Sequence, residues 1–483
     1  MGAWQTKPSP EEKKRVGIIG AGAAGVAAAW SLSRFPERYE VEVWEALPEI
    51  GGVASTCAIG KDGTELEIND QVQGGAPSYR NNLLLLNQVG VETHPVDFKI
   101  AFGTGENAWS NHGPSSKLVG RLKQEIARFG TVLRWVNRLE FIFAFVPINS
   151  VLKWWGFSDD FRNHMLFPLT ALFFGTGNQT PYVSAAVVAR VFLDPQLRLF
   201  EYSPERLLDE VPRMFAFPKL RDTYKTLVAE MPSVVVRIST PVERIERNTP
   251  GRSRLYSSAV EGGYKDFDEI ILCCGAEQAL RILGDSASWV ERRLLGNVRY
   301  YKDLIVTHED EEYMRKYYNF HPTEDMYFVR TDPESPSIIE MSFNLAAYQP
   351  HLQESGRAIY QTIFLDDNLK RHWTVGEIDP SKILKTRQTL QFAHTWTHFA
   401  FWVPFVQFLQ GRRNTWYAGS VCLFNTHEIA VMSGLAAAER LGAPYPFSAD
   451  PLAAAQYGMY FKMAHGLFTR RVNVKSEAAK KDI

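Results

Sequence analysis

The stretch VGIIGAGAAGVAAAW at residues 16–30 limits the fold more than any other part of the chain. A short apolar, β-branched run leads into Gly20, Gly22 and Gly25 and then into an alanine-rich segment reaching Trp30, which reads as strand, tight turn and helix. The first glycine permits the turn, the second lets a pyrophosphate approach the backbone, and the third lets the helix pack on the strand. The helix start at Ala23 and Ala24 offers unpaired N–H groups and a positive dipole end to phosphates. EVEVW then alternates as a second strand and ends at Glu45 and Ala46. That acid stands about 20 residues past the last glycine, where a carboxylate accepts from ribose hydroxyls and disfavours a 2′-phosphate. These features predict a Rossmann-type dinucleotide unit.

A second glycine pair, Gly51 and Gly52, followed by Val53, Ala54, Ser55 and Thr56, extends the pattern. The long signature resembles that of glutathione-reductase-type FAD proteins, especially the flavin amine oxidase superfamily. The resemblance implies that this segment runs beside the FAD pyrophosphate and ribityl chain. Where that family usually has an arginine after the glycine pair, this chain has Val53.

Two later segments fit returns of the chain to the same unit. SVVVRISTPVERIER (233–247) and DFDEIILCCGAEQAL (266–280) resemble the block in which a residue near Val242 meets the adenine and a strand ends at Cys274 and Gly275 beneath the cofactor. NTWYAGSVCLFNTHEIAVMSGLAAAERLG (414–442) reads as a strand ending at Ala418 and Gly419, a loop, and a helix starting at Thr426 or His427. A helix N-terminus stabilises negative charge near flavin N1 and the C2 carbonyl. Gly419, Ser420, His427, Glu428, Ile429 and Ala430 are the candidate contacts there, and Gly434, Ala436 and Ala437 suit a close approach of the helix.

With EINDQVQGGAPSYRNNLLLLNQVGVET (67–93), which contributes Gly74 and Gly75, and LLGNVRYYKDLIVTHED (294–310), these blocks are similar to NAD/FAD-binding flavoproteins related to amine oxidases. The best-understood type of that group is a polyenoic fatty acid isomerase. The resemblance covers about residues 15–443 and implies FAD; no histidine or cysteine sits in a known attachment context, so a noncovalent cofactor is expected. Where the family often has a Gly-Gly-Ser segment, this chain has MFAFPKLRDTYKTLV (214–228), so the reaction type is not carried over.

The expected fold class is α/β: a Rossmann-type, glutathione-reductase-like FAD domain (14–100, 225–285, 410–443) with a discontinuous α+β substrate domain (101–224, mostly helical, and 286–409) and a tail from 444 to 483. Aromatic density in RWVNRLEFIFAF, KWWGF, FPLTALFFGTG and HTWTHFAFWVPFVQF suggests a greasy pocket and a lipophilic small-molecule substrate. His427, Tyr79 and Arg80 are the candidate catalytic or head-group residues, and capping of the helix start is the other reading of His427. His394 and His398, four apart on an expected helix, read as an aromatic face near the pocket and not as metal ligands; no metal site is expected.

A formal net charge of -1 gives no electrostatic footprint for nucleic acid. Four scattered cysteines read as reduced thiols of a cytoplasmic protein. Residues 1–15 lack the apolar core of a secretory signal but fit M-G-x-x-x-[ST] through Gly2 and Thr6, a myristoylation pattern. The apolar and basic tail is expected to pack on its own domain, with contact at a membrane surface as the alternative. The first functional expectation is an FAD-dependent oxidoreductase taking a hydride from a lipid, terpenoid or polyketide-like compound of secondary metabolism. The alternatives are a redox-neutral double-bond isomerase of unsaturated fatty acids and a flavin-binding protein without turnover.

Overall fold

The computed structural model describes residues 12–60, 65–174, 177–194, 200–208, 211–247, 251–321 and 325–466. The Gly2 and Thr6 motif and the end of the tail lie outside the described residues.

Five short apolar runs form a parallel sheet: β1 (Lys14–Ile19), β2 (Tyr39–Trp44), β3 (Val234–Arg237), β4 (Glu269–Leu272) and β5 (Thr415–Tyr417), in the order β3-β2-β1-β4-β5. Val16, Ile18, Ile270 and Ile271 are wholly buried, as expected where a parallel sheet is covered on both faces. Parallel strands bring all their C-terminal ends to one edge, so Gly20 and Glu45 meet Cys273 and Ala418 although hundreds of residues separate the first two from the last two. Strand order reverses direction between β1 and β4, which makes that edge a topological switch point, the usual place for a ligand in such a sheet.

Helix α1 (Ala23–Ser33) leaves β1 and packs against α3 (His427–Leu441), with α2 (Arg80–Gln88) and α4 (Pro451–His465) alongside. A Cβ on Gly25 would lie 1.9 Å from the Gly20 carbonyl oxygen, and one on Gly434 would lie 2.0 Å from that of Ala24. The small residues of α3 at Gly434 therefore serve contact with α1, which corrects the expectation that they bring α3 close to a cofactor. Gly434→Ala should lower stability by about 2 kcal/mol, because backbone must move to admit the methyl group; a thermal or urea melt checks this.

A second sheet has seven strands, in the order Ile383–Phe392, Tyr300–His308, Tyr360–Phe364, Ile339–Asn344, Tyr327–Thr331, Ile100–Phe102 and Trp109–Ser110. Only the pairing of Tyr327–Thr331 with Ile100–Phe102 is parallel within it. In Tyr300–His308, period-two alternation turns Asp303 and Ile305 to the same face, with Asp303 opposite Thr389.

The helix Lys117–Arg138 is N-capped by Ser116, whose side chain accepts from the Val119 N–H. Its stripe of Leu118, Leu122, Ile126, Phe129, Leu133 and Val136 is buried, the 3.6-residue period of an amphipathic helix. Phe129 meets the rings of Phe157, Phe161 and Phe192, so Phe157 belongs to the core, whereas Trp135, Phe141, Phe145 and Trp154 are exposed. Helix α4 starts at Asp450, which caps Ala453, and buries Tyr457, Tyr460 and Phe461. This part of the tail packs on its own fold. Among the described residues no helix is long and apolar enough to cross a membrane.

Candidate functional site

The glycine loop and its neighbours enclose one end of a cavity of about 1120 Å³ that extends to the face of the seven-stranded sheet. Gly20, Gly51 and Gly52 have φ of +101°, +117° and +62°, conformations that side chains resist. The loops are tied together by the Gly51 N–H, which donates to the Ala21 carbonyl at 2.9 Å, and by a parallel bridge between Gly22 and Gly51. Glu45 accepts from the Ala21 N–H at 2.7 Å through Oε2 and from the Leu47 N–H at 2.9 Å through Oε1. Its carboxylate is thereby fixed at the end of β2, beside the cavity.

Gly22 differs from its neighbours. Its φ is -75°, within reach of any residue, and the nearest atom to an added Cβ is the Gly51 oxygen at 3.8 Å. Neither strain nor packing requires a glycine here. What a side chain would fill is the cavity itself, in front of an α1 N-terminus that has no side-chain cap and no acid in its first turn. A phosphate group fits such a cradle.

Of the other residues expected at the site, Ala23, Ala24, Ala46, Val53, Ala54, Gly74, Gly75, Tyr79, Val242, Cys274, Gly275, Gly419, Ser420, His427 and Ala430 all line the cavity. Gly25, Ser55, Arg80, Glu428 and Ile429 do not. Gly25 lies under the Gly20 carbonyl, and the Ser55 carbonyl accepts from the Asp70 N–H. Ile429 is buried in the core. Arg80 reaches Asp450 at 2.7 Å, which holds its guanidinium on the N-cap of α4 and away from the cavity. Glu428 accepts from the Asn81 N–H at 2.9 Å, the Asn81 side chain at 2.8 Å and the Asn82 N–H at 2.8 Å. It caps α2 from α3; burial pushes its carboxyl up to about 7, against these three donors.

Thr426 is the N-cap of α3 and accepts from the Ile429 N–H at 3.2 Å; the capping role weighed for His427 belongs to it. His427 shares a 2.9 Å hydrogen bond between Nε2 and the Tyr224 hydroxyl and lies 5.1 Å from the Phe217 ring. Burial pushes its imidazole down to about 4, so it is neutral at ordinary pH. The bulky segment 214–228 thus does reach the site, through Met214 in the cavity wall and Tyr224 behind His427. His394 accepts from the Asn425 N–H at 2.8 Å. It precedes the helix Trp396–Phe401 that carries His398, so the two do not share a helix face.

The far end of the cavity was not expected from these residues. Phe98, Tyr327, Phe343, Tyr348 and Phe392 form an aromatic chamber with Leu172, Ile305, Met341 and Ile363. Tyr327 packs 3.9 Å from Phe343 and 5.2 Å from Phe98, centroid to centroid. Of the four aromatic-rich segments read as pocket walls, only FPLTALFFGTG contributes among the described residues, through Leu172. Tyr300 ties the chamber to the cradle, its hydroxyl accepting from the Ala276 N–H at 2.7 Å. Asp303 also lines the cavity. Alternation along YKDLIVTH could have revealed it as a charged residue on the inward face of a strand.

A family model described as an NAD(P)-binding Rossmann-like domain matches residues 18–82. The chain carries that domain. No curated protein matches the chain. Among solved structures, a CLA-producing fatty acid isomerase from P. acnes is 16% identical with a TM-score of 0.58, over 89% of this chain and 98% of the other. Putrescine oxidase bound to putrescine is 14% identical with a TM-score of 0.60, over 90% and 100%. Cyclohexylamine oxidase from Brevibacterium oxydans IH-35A is 15% identical with a TM-score of 0.56, over 89% and 100%. At such identities the likeness is one of fold: a Rossmann-like α/β architecture shared over most of each chain.

Proposed function

We propose that the protein is an FAD-dependent oxidoreductase that holds FAD noncovalently along the glycine cradle and takes a hydride from a lipophilic small molecule in the aromatic chamber. The observation that carries this reading is the continuity of a single cavity from Gly22 and Glu45 to Tyr327 and Phe343. Its volume of about 1120 Å³ exceeds the roughly 300–1,000 Å³ of common single-ligand pockets and suits a dinucleotide with a substrate beside it. The division of the chain into FAD segments (14–100, 225–285, 410–443) and substrate segments (101–224, 286–409) belongs to the same proposal.

FAD bound there supplies a hydride-accepting ring. The α1 N–H groups at Ala23 and Ala24 would hold the pyrophosphate, and Glu45 would accept from ribose hydroxyls. The positive N-terminal end of α3 favours negative charge near it. His427 stays neutral, held by Tyr224, with Nδ1 left without a partner among the described residues. Tyr79, whose hydroxyl burial pushes above the ordinary phenol range, keeps its proton, and the aromatic walls exclude water.

A second reading, redox-neutral movement of a double bond in an unsaturated fatty acid, is favoured by the fold likeness to the isomerase from P. acnes and by the apolar chamber. Anaerobic mixing of the purified protein with unsaturated fatty acids and terpenoid or polyketide-like lipids tests both readings. Lasting bleaching of the flavin bands is expected for the oxidoreductase. Product formed while the flavin stays oxidised would select the isomerase, and a colourless protein that takes up no FAD would overturn both.

A further inference from the structure

Asp303 stands on the strand Tyr300–His308, lines the cavity, and is only 4% exposed. Its Oδ1 accepts from the Asp366 backbone N–H at 2.8 Å, and among the described residues no basic side chain pairs with either oxygen. The contrast with Asp70 is direct. Asp70 is equally buried but pairs with Arg387 at 2.6 Å. Burial of a carboxylate without a partner is costly, and the neighbouring charges add to that cost. Burial first, and then Asp366 and Asp367, push the Asp303 carboxyl up to about 7, against the Asp366 N–H.

The cavity wall offers little relief. Its lining cation among the described residues is Arg281, which lies at the other end with Cys274 and Glu45. Thr389 stands directly opposite Asp303, and Arg387, opposite Ile305 on the same face, is taken up by Asp70. A hydrogen-bond acceptor without a cationic partner is therefore built into the cavity wall, two residues from Ile305 and its neighbour Ile363.

We propose that Asp303 anchors the substrate, accepting a hydrogen bond from an O–H or N–H donor at the polar end of an otherwise apolar molecule, and that it disfavours a fatty carboxylate at that position. A carboxylate ligand would set a second negative charge beside Asp303 in a low-dielectric site, whereas a hydroxyl or ammonium donor supplies the partner that the fold does not. This inference rests on the reading of the chamber as the substrate site.

The test uses three ligands of equal chain length, 1-decanol, decylamine and decanoate, titrated calorimetrically into the FAD-supplemented protein and into Asp303→Asn at about pH 8, above the carboxyl's titration. The substitution keeps a side-chain oxygen for the Asp366 N–H. The unaltered protein should bind at least one donor ligand about tenfold or more tighter than decanoate, and Asp303→Asn should narrow that gap to about threefold. A larger loss for decylamine than for decanol marks an ammonium as the natural donor; equal losses mark a hydroxyl. Decanoate binding as tightly as both donors, no binding by any of the three, or an unchanged gap in the variant each overturns the proposal. The ranking on the unaltered protein decides the matter even where the variant fails to fold. Flavin absorbance is read on the same samples: absence of FAD uptake sinks the cofactor reading, while the ligand ranking still judges Asp303.

Discussion

Gly22→Leu is expected to yield a folded protein that has lost its flavin, whereas Gly25→Ala, three residues on in the first turn of α1, is expected to damage the fold itself. At Gly22 the backbone is in an ordinary extended conformation, and nothing lies within 3.4 Å of an added Cβ. A leucine there costs about 1 kcal/mol at most as a poorer N-cap. Its side chain, however, projects into the space in front of the α1 N–H groups, where the pyrophosphate needs close approach. FAD affinity should fall about 100-fold or more, roughly 3 kcal/mol, with the melting temperature nearly unchanged. At Gly25 the added methyl would lie 1.9 Å from the Gly20 carbonyl oxygen. Helix and strand must then part, at a cost of about 3 kcal/mol. Visible absorbance of the purified variants and their thermal melts separate the two effects; a Gly22→Leu protein that remains yellow would sink the cradle reading.

That contrast shows what the sequence could convey and what it could not. Both glycines belong to one legible pattern, because a strand, a turn and a helix are set by contacts within about a dozen residues. The Glu45 position was legible for the same reason, as was the start of α3, where Thr426 precedes a helical run. Arg80 and Glu428 were misjudged because their partners, Asp450 and the first turn of α2, are hundreds of residues away in the chain. No local pattern shows that an arginine beside the site has been drawn off by a distant cap. The aromatic-rich segments misled in the same way. Whether Phe157 lines a pocket or a core depends on Phe129 and Phe161 closing around it, and composition is the same in either case. The chamber comes instead from single aromatics on strands and loops, such as Phe98, Tyr327 and Phe343, which converge only once the sheet register is set.

Arg247→Met should cost about 3–5 kcal/mol of stability. Arg247 and Glu291 are 1% and 4% exposed and meet in two bonds of 2.6 and 2.7 Å. Glu291 has further work: its Oε2 accepts from the Ser288 N–H at 2.7 Å, closing the capping box of the helix Trp289–Leu295, and its Oε1 accepts from the Tyr417 hydroxyl at 2.6 Å. Arg247 also donates to Thr415 at 3.1 Å. The pair therefore clamps that helix to β5, the strand that delivers Ala418 and Gly419 to the cavity. Removing the arginine leaves a buried carboxylate without its counter-charge, which is why the loss should exceed that of an exposed ion pair.

The pH dependence follows from the same bonds. Burial acts to raise the Glu291 carboxyl, but Arg247, Tyr417 and the Ser288 N–H outweigh it and hold the group at about 2, below its ordinary 4.5. A depressed acid contributes stability that is present above its unfolded value and is lost as pH falls through the folded one, here between about 4.5 and 2, with a total of about 3 kcal/mol. Urea midpoints measured from about pH 6 down to pH 3 should fall steeply for the unaltered protein. In Arg247→Met the Glu291 share of that fall should vanish, because the unpaired carboxyl no longer gains from ionisation in the fold. Equal slopes in the two proteins would mean that the clamp is held by Tyr417 and the capping box alone, and that the guanidinium is dispensable to it.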